Sequence, residues 1–560
     1  MKPVRNTTDA VRESNDRHRH WVPLFVLAFL LLVADLWTGT HVCHAVGLDS
    51  IEESSLWQAG LSRCGHLSTE SWIHFDEALG SHMERQILLA LTAIGFLLAY
   101  YLPLPYKRKP LVILTFFGIG WVFGIGVAAK LLAFHLFAYA TFHRPDPGRR
   151  STRIGMLLCA VLIWVPDDLS ELTRSRSIAM ALSAAAASWA YRGYHRLLEG
   201  RAREWLQGAT AHASMLYLAI AFTWNTATGE DSFPSPVGCL LFFWQWERLV
   251  MYRIDIRDDR VPPDLSLMGY LATFFTPAFL ANVSWLNRVP TGYAYMNGRF
   301  LSRDKNRIVL SGVWLIALSV FFFALRPITL QAIDMGTKAL GLPTWSDYGP
   351  VVRALESGDV VTPLSVWIVL VASFLNFYLL WTAVAHLKVG LWRLFGYDLE
   401  PYFQRPLLSV NLVELWRRYS YYYREFLVQA FYYPVFLRFF RRRPYVRTLT
   451  ATLAAAGAGN LLFHLMEASL YDRANAEVWA SILRTTPYYL ILGLAIGLTQ
   501  IWLMRKPRPR RTPWTLDRRL GVDVLCAVST LGFFILIRPF HHVPIDHSVG
   551  SAMKLILAAF

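Results

Sequence analysis

Apolar runs of about 20 residues, the length needed to cross the hydrocarbon core of a bilayer, recur along this 560-residue chain. That core offers no hydrogen bonds to a peptide backbone, so only helices and closed barrels can span it. The alternating ten-residue segments of a barrel are absent from the sequence. The expected fold is an all-α polytopic membrane protein, a bundle of about ten to thirteen helices with interfacial helices. Composition matters here chiefly for what it excludes. The net charge is +16, but only 17% of residues are charged, and the arginines gather in short loops between apolar runs. Positive-inside bias and anionic headgroups account for that pattern. With no soluble basic domain to do it, nucleic-acid binding is excluded.

In chain order, residues 1–20 are a polar tail whose Arg5, Arg12, Arg17 and Arg19 place the N-terminus in the cytoplasm. The run 21–36 lacks a small-residue cleavage site and reads as a retained first span. The loop 38–85 carries Asp49, Glu52, Glu53, Glu70, Asp76, Glu77 and Glu84 and is expected outside. Cys43 and Cys64 share that loop and can pair if it faces an oxidising compartment. Cys159, Cys239 and Cys526 lie in apolar runs, where thiols usually pack. A span at 86–104 returns to the basic turn around Lys107, Arg108 and Lys109. The apolar stretch 111–142, which contains Lys130, is either two spans with a tight turn or one span and a shallow segment. The basic segment 143–153 favours two. Further spans are expected at 154–165, 178–191, 209–224, 236–251, 265–285, 308–325, 364–385, 448–468, 482–504 and 520–537. The chain thus divides into the tail (1–20), first spans (21–110), N-terminal helices (111–264), a core (265–504), a basic cytoplasmic loop (505–519), and a last span with tail (520–560).

His464 stands out within the run 448–468. An ionisable side chain inside a membrane span costs about 2 kcal/mol or more and marks a candidate functional site. At about 1.5 Å rise per residue, a straight helix puts it roughly 24 Å from Thr448, in the outer half of the bilayer. Asn460 and Glu467 lie four before and three after, on the same helix face. Upstream, Trp416, Tyr419, Tyr422 and Tyr423 alternate with Arg417, Arg418 and Arg424. They form an amphipathic interfacial segment that serves as a surface anchor, as a grip on the phosphates or carrier of a donor, or as both. His541, His542, His547 and Asp546 occupy a polar stretch near the C-terminus whose spacing fits no standard metal site, and His135 reads as a packed histidine. Asp167 and Asp168 end a span in water. Gly-rich phosphate loops, Cys-x-x-Cys pairs and serine elbows are absent.

Several segments together resemble the membrane-bound O-acyltransferase (MBOAT) family in its bacterial cell-envelope branch, with this chain as a divergent member. The matching stretches are Leu271-Ala272-Thr273-Phe274-Phe275-Thr276-Pro277-Ala278, His386 through Gly396, and Tyr402-Phe403-Gln404-Arg405-Pro406. They continue with Leu415-Trp416-Arg417-Arg418-Tyr419-Ser420 followed by Arg424-Glu425, and end with Asn460-Leu461-Leu462-Phe463-His464. The resemblance covers roughly 265–504. Ser420 stands where bacterial members carry a first histidine, Phe463 where they carry tryptophan, and Leu465 where they carry glycine.

The resemblance implies an MBOAT-like core that moves an acyl group from a thioester donor, acyl-CoA or an acyl carrier, to a hydroxyl of a lipid or glycan acceptor. His464 would be the general base, since imidazole titrates near neutrality and suits proton transfer. Ser420 and Asn460 would assist it, and Trp416, Arg417, Arg418, Tyr419 and Arg424 would bind substrate. No metal and no cofactor beyond the thioester is implied, and the location would be the bacterial inner membrane. Two other readings stay open: a catalytically inactive scaffold, for which Ser420 speaks, and a lipid or glycan transporter. A transporter would carry several deep charges, and the sequence offers few beyond Lys130, Lys388 and His464.

Overall fold

The computed structural model describes residues 21–38, 82–143, 182, 200–213, 241–275, 289, 291–342, 348–468, 475–505, 520–542 and 548–560. Regular structure among them is helical, apart from an isolated antiparallel bridge between Phe300 and Tyr397. Five helices among the described residues are long and apolar enough to cross a membrane. The chain is an all-α polytopic membrane protein. The tail, residues 39–81 of the expected loop with its cysteine pair, the span at 154–165, nearly all of 178–191, Asp167 and Asp168, most of 209–224, and the basic loop after Arg505 lie outside the described residues, while 82–85, expected in that loop, are helical.

The N-terminal helices are α1 (Trp21–Thr38), α2 (His82–Tyr101), α3 (Lys109–Phe123), α4 (Ile125–Phe142), α5 (Gly200–Ala211), α6 (Glu247–Arg257), α7 (Leu267–Phe275) and α8 (Tyr293–Arg299). The long α9 (Lys305–Ala339), the short α10 (Tyr348–Ser357) and the long α11 (Pro363–Leu394) follow. The chain clusters into two compact units, one of residues 1–316 and 387–400 and the other of 317–386 and 401–560, so α9 and α11 each belong partly to both.

In the first unit, the apolar stretch 111–142 is two helices parted at Gly124, whose φ of +91° a side chain would resist. His135 is fully buried on α4, its Nδ1 3.1 Å from the Tyr270 hydroxyl and its ring between Phe274 and Phe275. It is packed, as its apolar setting implied. Gly312 and Gly390 let α9 and α11 approach closely: a Cβ on either would come within 2.9 Å of the other's carbonyl oxygen.

This unit also buries several charges, among them Lys107 of the basic turn. Lys107 donates to the carbonyls of Ala99 and Tyr100, each at 3.1 Å, capping the C-terminal end of α2, and Lys305 donates to the same Tyr100 carbonyl at 3.1 Å. Arg248 does the same for α7 through Thr273 and Phe274. Helix C-termini carry partial negative charge, which explains why cations settle there. Lys388 is 4% exposed.

After α11 the chain turns back, and Asp398 receives Arg303 through two hydrogen bonds and Ser302 through a third. Burial pushes the Asp398 carboxyl up, but the hydrogen bonds and charge of Arg303 outweigh it and hold it below the ordinary value of 3.8. A depressed folded value gives stability that is fully present above 3.8 and is lost as pH falls through the lower folded value. Thermal melts of the solubilised protein should therefore drop on acidification below that point. Asp398→Asn should flatten this part of the pH profile and cost about 1 kcal/mol above it, a modest loss because water reaches Arg303.

The second unit continues through α12 (Leu412–Arg418), α13 (Tyr421–Leu427), α14 (Tyr433–Arg438), α15 (Pro444–Thr452), α16 (Asn460–Ala468), α17 (Asn475–Arg505), α18 (Leu520–Ile537), α19 (Pro539–His542) and α20 (Val549–Leu557). Its core gathers Tyr348 and Val352 from α10, Phe374 and Tyr378 from α11, Tyr488 from α17, Phe534 from α18 and Leu555 from α20. Asn411 caps α12 by accepting from the Glu414 N–H at 2.9 Å, while the Glu414 carboxylate accepts from the Val410 N–H at 3.1 Å.

Candidate functional site

The stretch Leu453-Ala-Ala-Ala-Gly-Ala-Gly459 winds as a π-helix between α15 and α16. Such wide turns are uncommon and often sit at functional sites. The run expected as one straight span at 448–468 is therefore α, π and α in succession, which changes the rise on which the 24 Å depth rested. Its small residues let α17 come close, so that a Cβ on Gly493 would lie 3.3 Å from the Gly457 nitrogen. Thr452 donates to Gln500 Oε1 at 2.7 Å, fixing the register of the two segments.

One and a half turns past the π segment, His464 is half-buried. Its ring faces His541 at 5.6 Å and Tyr489 at 6.3 Å between centroids. The Tyr489 hydroxyl lies 2.9 Å from His541 Nε2. With the hydroxyl donating, Nε2 accepts and the His541 proton sits on Nδ1. Tyr488 packs edge-on against His541 at 5.2 Å. Arg484 and Arg538, 5% and 2% exposed, act electrostatically on His541 together with His464.

Local sequence explains the convergence. Arg484, Tyr488 and Tyr489 flank Pro487 inside α17, where the missing N–H leaves the carbonyl four residues back without its helical donor. Arg538 ends α18 because Pro539 follows, and a residue before proline is disfavoured in the α conformation. The turn it makes starts α19 and carries His541, whose N–H donates to the Arg538 carbonyl at 2.8 Å.

Of the residues singled out in the sequence, His464 and Tyr419 reach this cluster. The Tyr419 ring packs against Phe403 at 5.0 Å and Phe534 at 5.5 Å. Burial raises its hydroxyl pKa, and the neighbouring Arg538 charge opposes the rise. Ser420 is held at φ 55°, ψ 56°, the left-handed region that a serine rarely occupies. Flanking hydrogen bonds lock it there, from Gln404 N to Arg418 O and from Tyr421 N to Tyr402 O, each 2.9 Å. Its hydroxyl makes no hydrogen bond to His464, so the structure does not join the two as the resemblance implied. The Asn460 amide donates to the Ala456 carbonyl at 2.8 Å within its own helix, the plain structural use of that side chain.

Among the substrate-binding candidates, Arg418 is bound to Glu414 at 2.5 Å, and Arg424 pairs with Glu425 and stacks on Tyr421. Two of the three arginines are thus occupied within their own segment. Arg417 is exposed and forms no ion pair among the described residues, and Trp416 is half-buried. Instead the segment supports the His464 helix, with Tyr423 packing on Phe463 at 5.8 Å.

His541, expected in a polar stretch, is part of a helical turn and of the cluster. His547, Asp546 and the side chains of His542 and Glu467 lie outside the described residues. No group of three or more metal-binding side chains occurs among the described residues. Tyr489, Arg484 and Arg538 were not anticipated. An arginine closing an apolar run reads as an interfacial charge, and only the Arg538-Pro539 pair hinted that this one turns inward.

Two imidazoles, a phenol and two guanidiniums thus meet among apolar helices, offering a proton acceptor and a positive field for a developing oxyanion. The sequence matches no protein-family model and no curated protein.

Proposed function

We propose that this protein is a membrane O-acyltransferase that passes an acyl group from a thioester donor, acyl-CoA or an acyl carrier, to a hydroxyl of a lipid or glycan. The observation that carries the reading is the contact of His464 with the Tyr489–His541 pair beside Arg484 and Arg538. The resemblance of the segments around His464 to the MBOAT family supports it.

In this mechanism His464 takes the acceptor's hydroxyl proton as the oxygen attacks the thioester carbonyl. Arg484 stabilises the negative oxygen of the tetrahedral intermediate. Its collapse breaks the carbon–sulfur bond, and the thiolate leaves with the proton that His464 held. Apolar helices limit competing hydrolysis of the donor by water. The basic N-terminal tail supports an N-terminus on the cytoplasmic side of a bacterial inner membrane, with the donor reaching the site from that side.

The test is incorporation. Reconstituted protein receives acyl-CoA labelled in the acyl chain, together with cell-envelope extract. Label in a hydroxylamine-labile ester of the lipid or glycan fraction is expected. Ester label that forms equally in empty vesicles would oppose the reading. Ser420 in place of the family histidine favours the inactive-scaffold alternative, under which no ester label forms with any donor.

A further inference from the structure

We infer that Arg538, with the hydroxyl of Tyr419 beside it, is a binding subsite for the monoanionic head of an amphiphile, a carboxylate or a phosphodiester. Arg538 is 2% exposed and has no carboxylate partner among the described residues. A guanidinium stays protonated in a protein, so burial does not discharge it. Its carbon atom lies 4.4 Å from the Phe377 ring centroid, 5.6 Å from Phe374 and 6.0 Å from Phe534. Aromatic faces offset part of the cost of desolvating a cation, but they accept none of its N–H bonds. Nε has no acceptor. Tyr419 lies within reach, short of a well-formed hydrogen bond.

The neighbours add donors. Tyr348 is 2% exposed and its hydroxyl has no partner, and the Tyr419 hydroxyl is likewise buried and unsatisfied. Tyr348 belongs to the same core cluster as Phe374 and Phe534, and Tyr419 packs against that cluster. Buried polar groups are almost always paired, so three unsatisfied ones drawn from α10, the α12–α13 link and the end of α18 call for an acceptor that the chain does not supply. One positive charge and several O–H donors suit a single negative charge shared over two oxygens. The rings of Phe374, Phe377 and Phe534 suit an apolar body behind it.

As an anion site this stands without the acyl-transfer reading. As the headgroup subsite of a transfer substrate it rests on that reading. Binding is measured without turnover, so the two fail separately.

Thermal unfolding of the purified full-length protein in a neutral detergent would be followed against hexanoate, dibutyl phosphate and hexanol. A saturable rise in melting temperature is expected with hexanoate or dibutyl phosphate and not with hexanol, and whichever anion acts names the head. Arg538→Met should abolish that rise while melting, without ligand, at or above wild type, because it removes an uncompensated charge. Tyr419→Phe keeps the charge and should weaken the apparent affinity by about tenfold. The inference is overturned if neither anion stabilises wild type, or if Arg538→Met responds as wild type does. A sharp drop in the melting temperature of ligand-free Arg538→Met would mean instead that the arginine is structural.

Discussion

His464→Ala is expected to lower acyl transfer by about 10²–10⁴-fold, the range for losing a positioned general base. The variant should still fold. His464 is half-buried and stands outside the core built around Tyr348, Phe374 and Phe534, so its removal opens no large void there. A melting temperature close to wild type, measured on the same preparation, separates loss of chemistry from loss of structure. His464→Gln keeps hydrogen-bonding capacity but not basicity, and should be equally impaired.

Tyr489→Phe tests the group behind the base. The Tyr489 hydroxyl fixes His541 through its 2.9 Å contact, and His541 in turn faces His464. Without that hydroxyl, His541 loses its preferred tautomer and orientation while every ring remains in place. We expect kcat to fall by about tenfold, which is about 1.4 kcal/mol of transition-state stabilisation, with KM nearly unchanged. A purely structural hydroxyl would move stability and leave that split absent. In the double variant with His464→Ala, the tyrosine change should add almost nothing, since groups acting as one unit are non-additive.

The fold class was legible because hydropathy is a local property. The runs at 308–325, 364–385 and 520–537 correspond to α9, α11 and α18, and Gly124 divides 111–142 into two helices, of which α4 alone is long and apolar enough to span. Caps made by side chains from elsewhere were not legible. Lys107 read as part of a basic turn, yet it bonds the end of α2, where Lys305 joins it. The site was half legible. His464 announced itself by being ionisable in an apolar run, and Tyr419 by its place in the segment that resembles the MBOAT family. Ser420 took its expected role from its position in the resembling segment, and Asn460 from its spacing to His464. The chain uses the first in a left-handed turn and the second on its own helix. Tyr489, Arg538 and His541 lie more than 20 residues from His464, and only the packing of α16 through α19 makes them neighbours.

The central claim is acyl transfer at His464. Its most direct test is free-thiol release by wild-type protein from a panel of acyl-CoA thioesters, with and without cell-envelope extract as acceptor. The account predicts that at least one thioester gives acceptor-dependent release, and that His464→Ala removes it. Acceptor-dependent release at the wild-type rate by His464→Ala would contradict the account, as would its absence from wild type for every thioester in the panel.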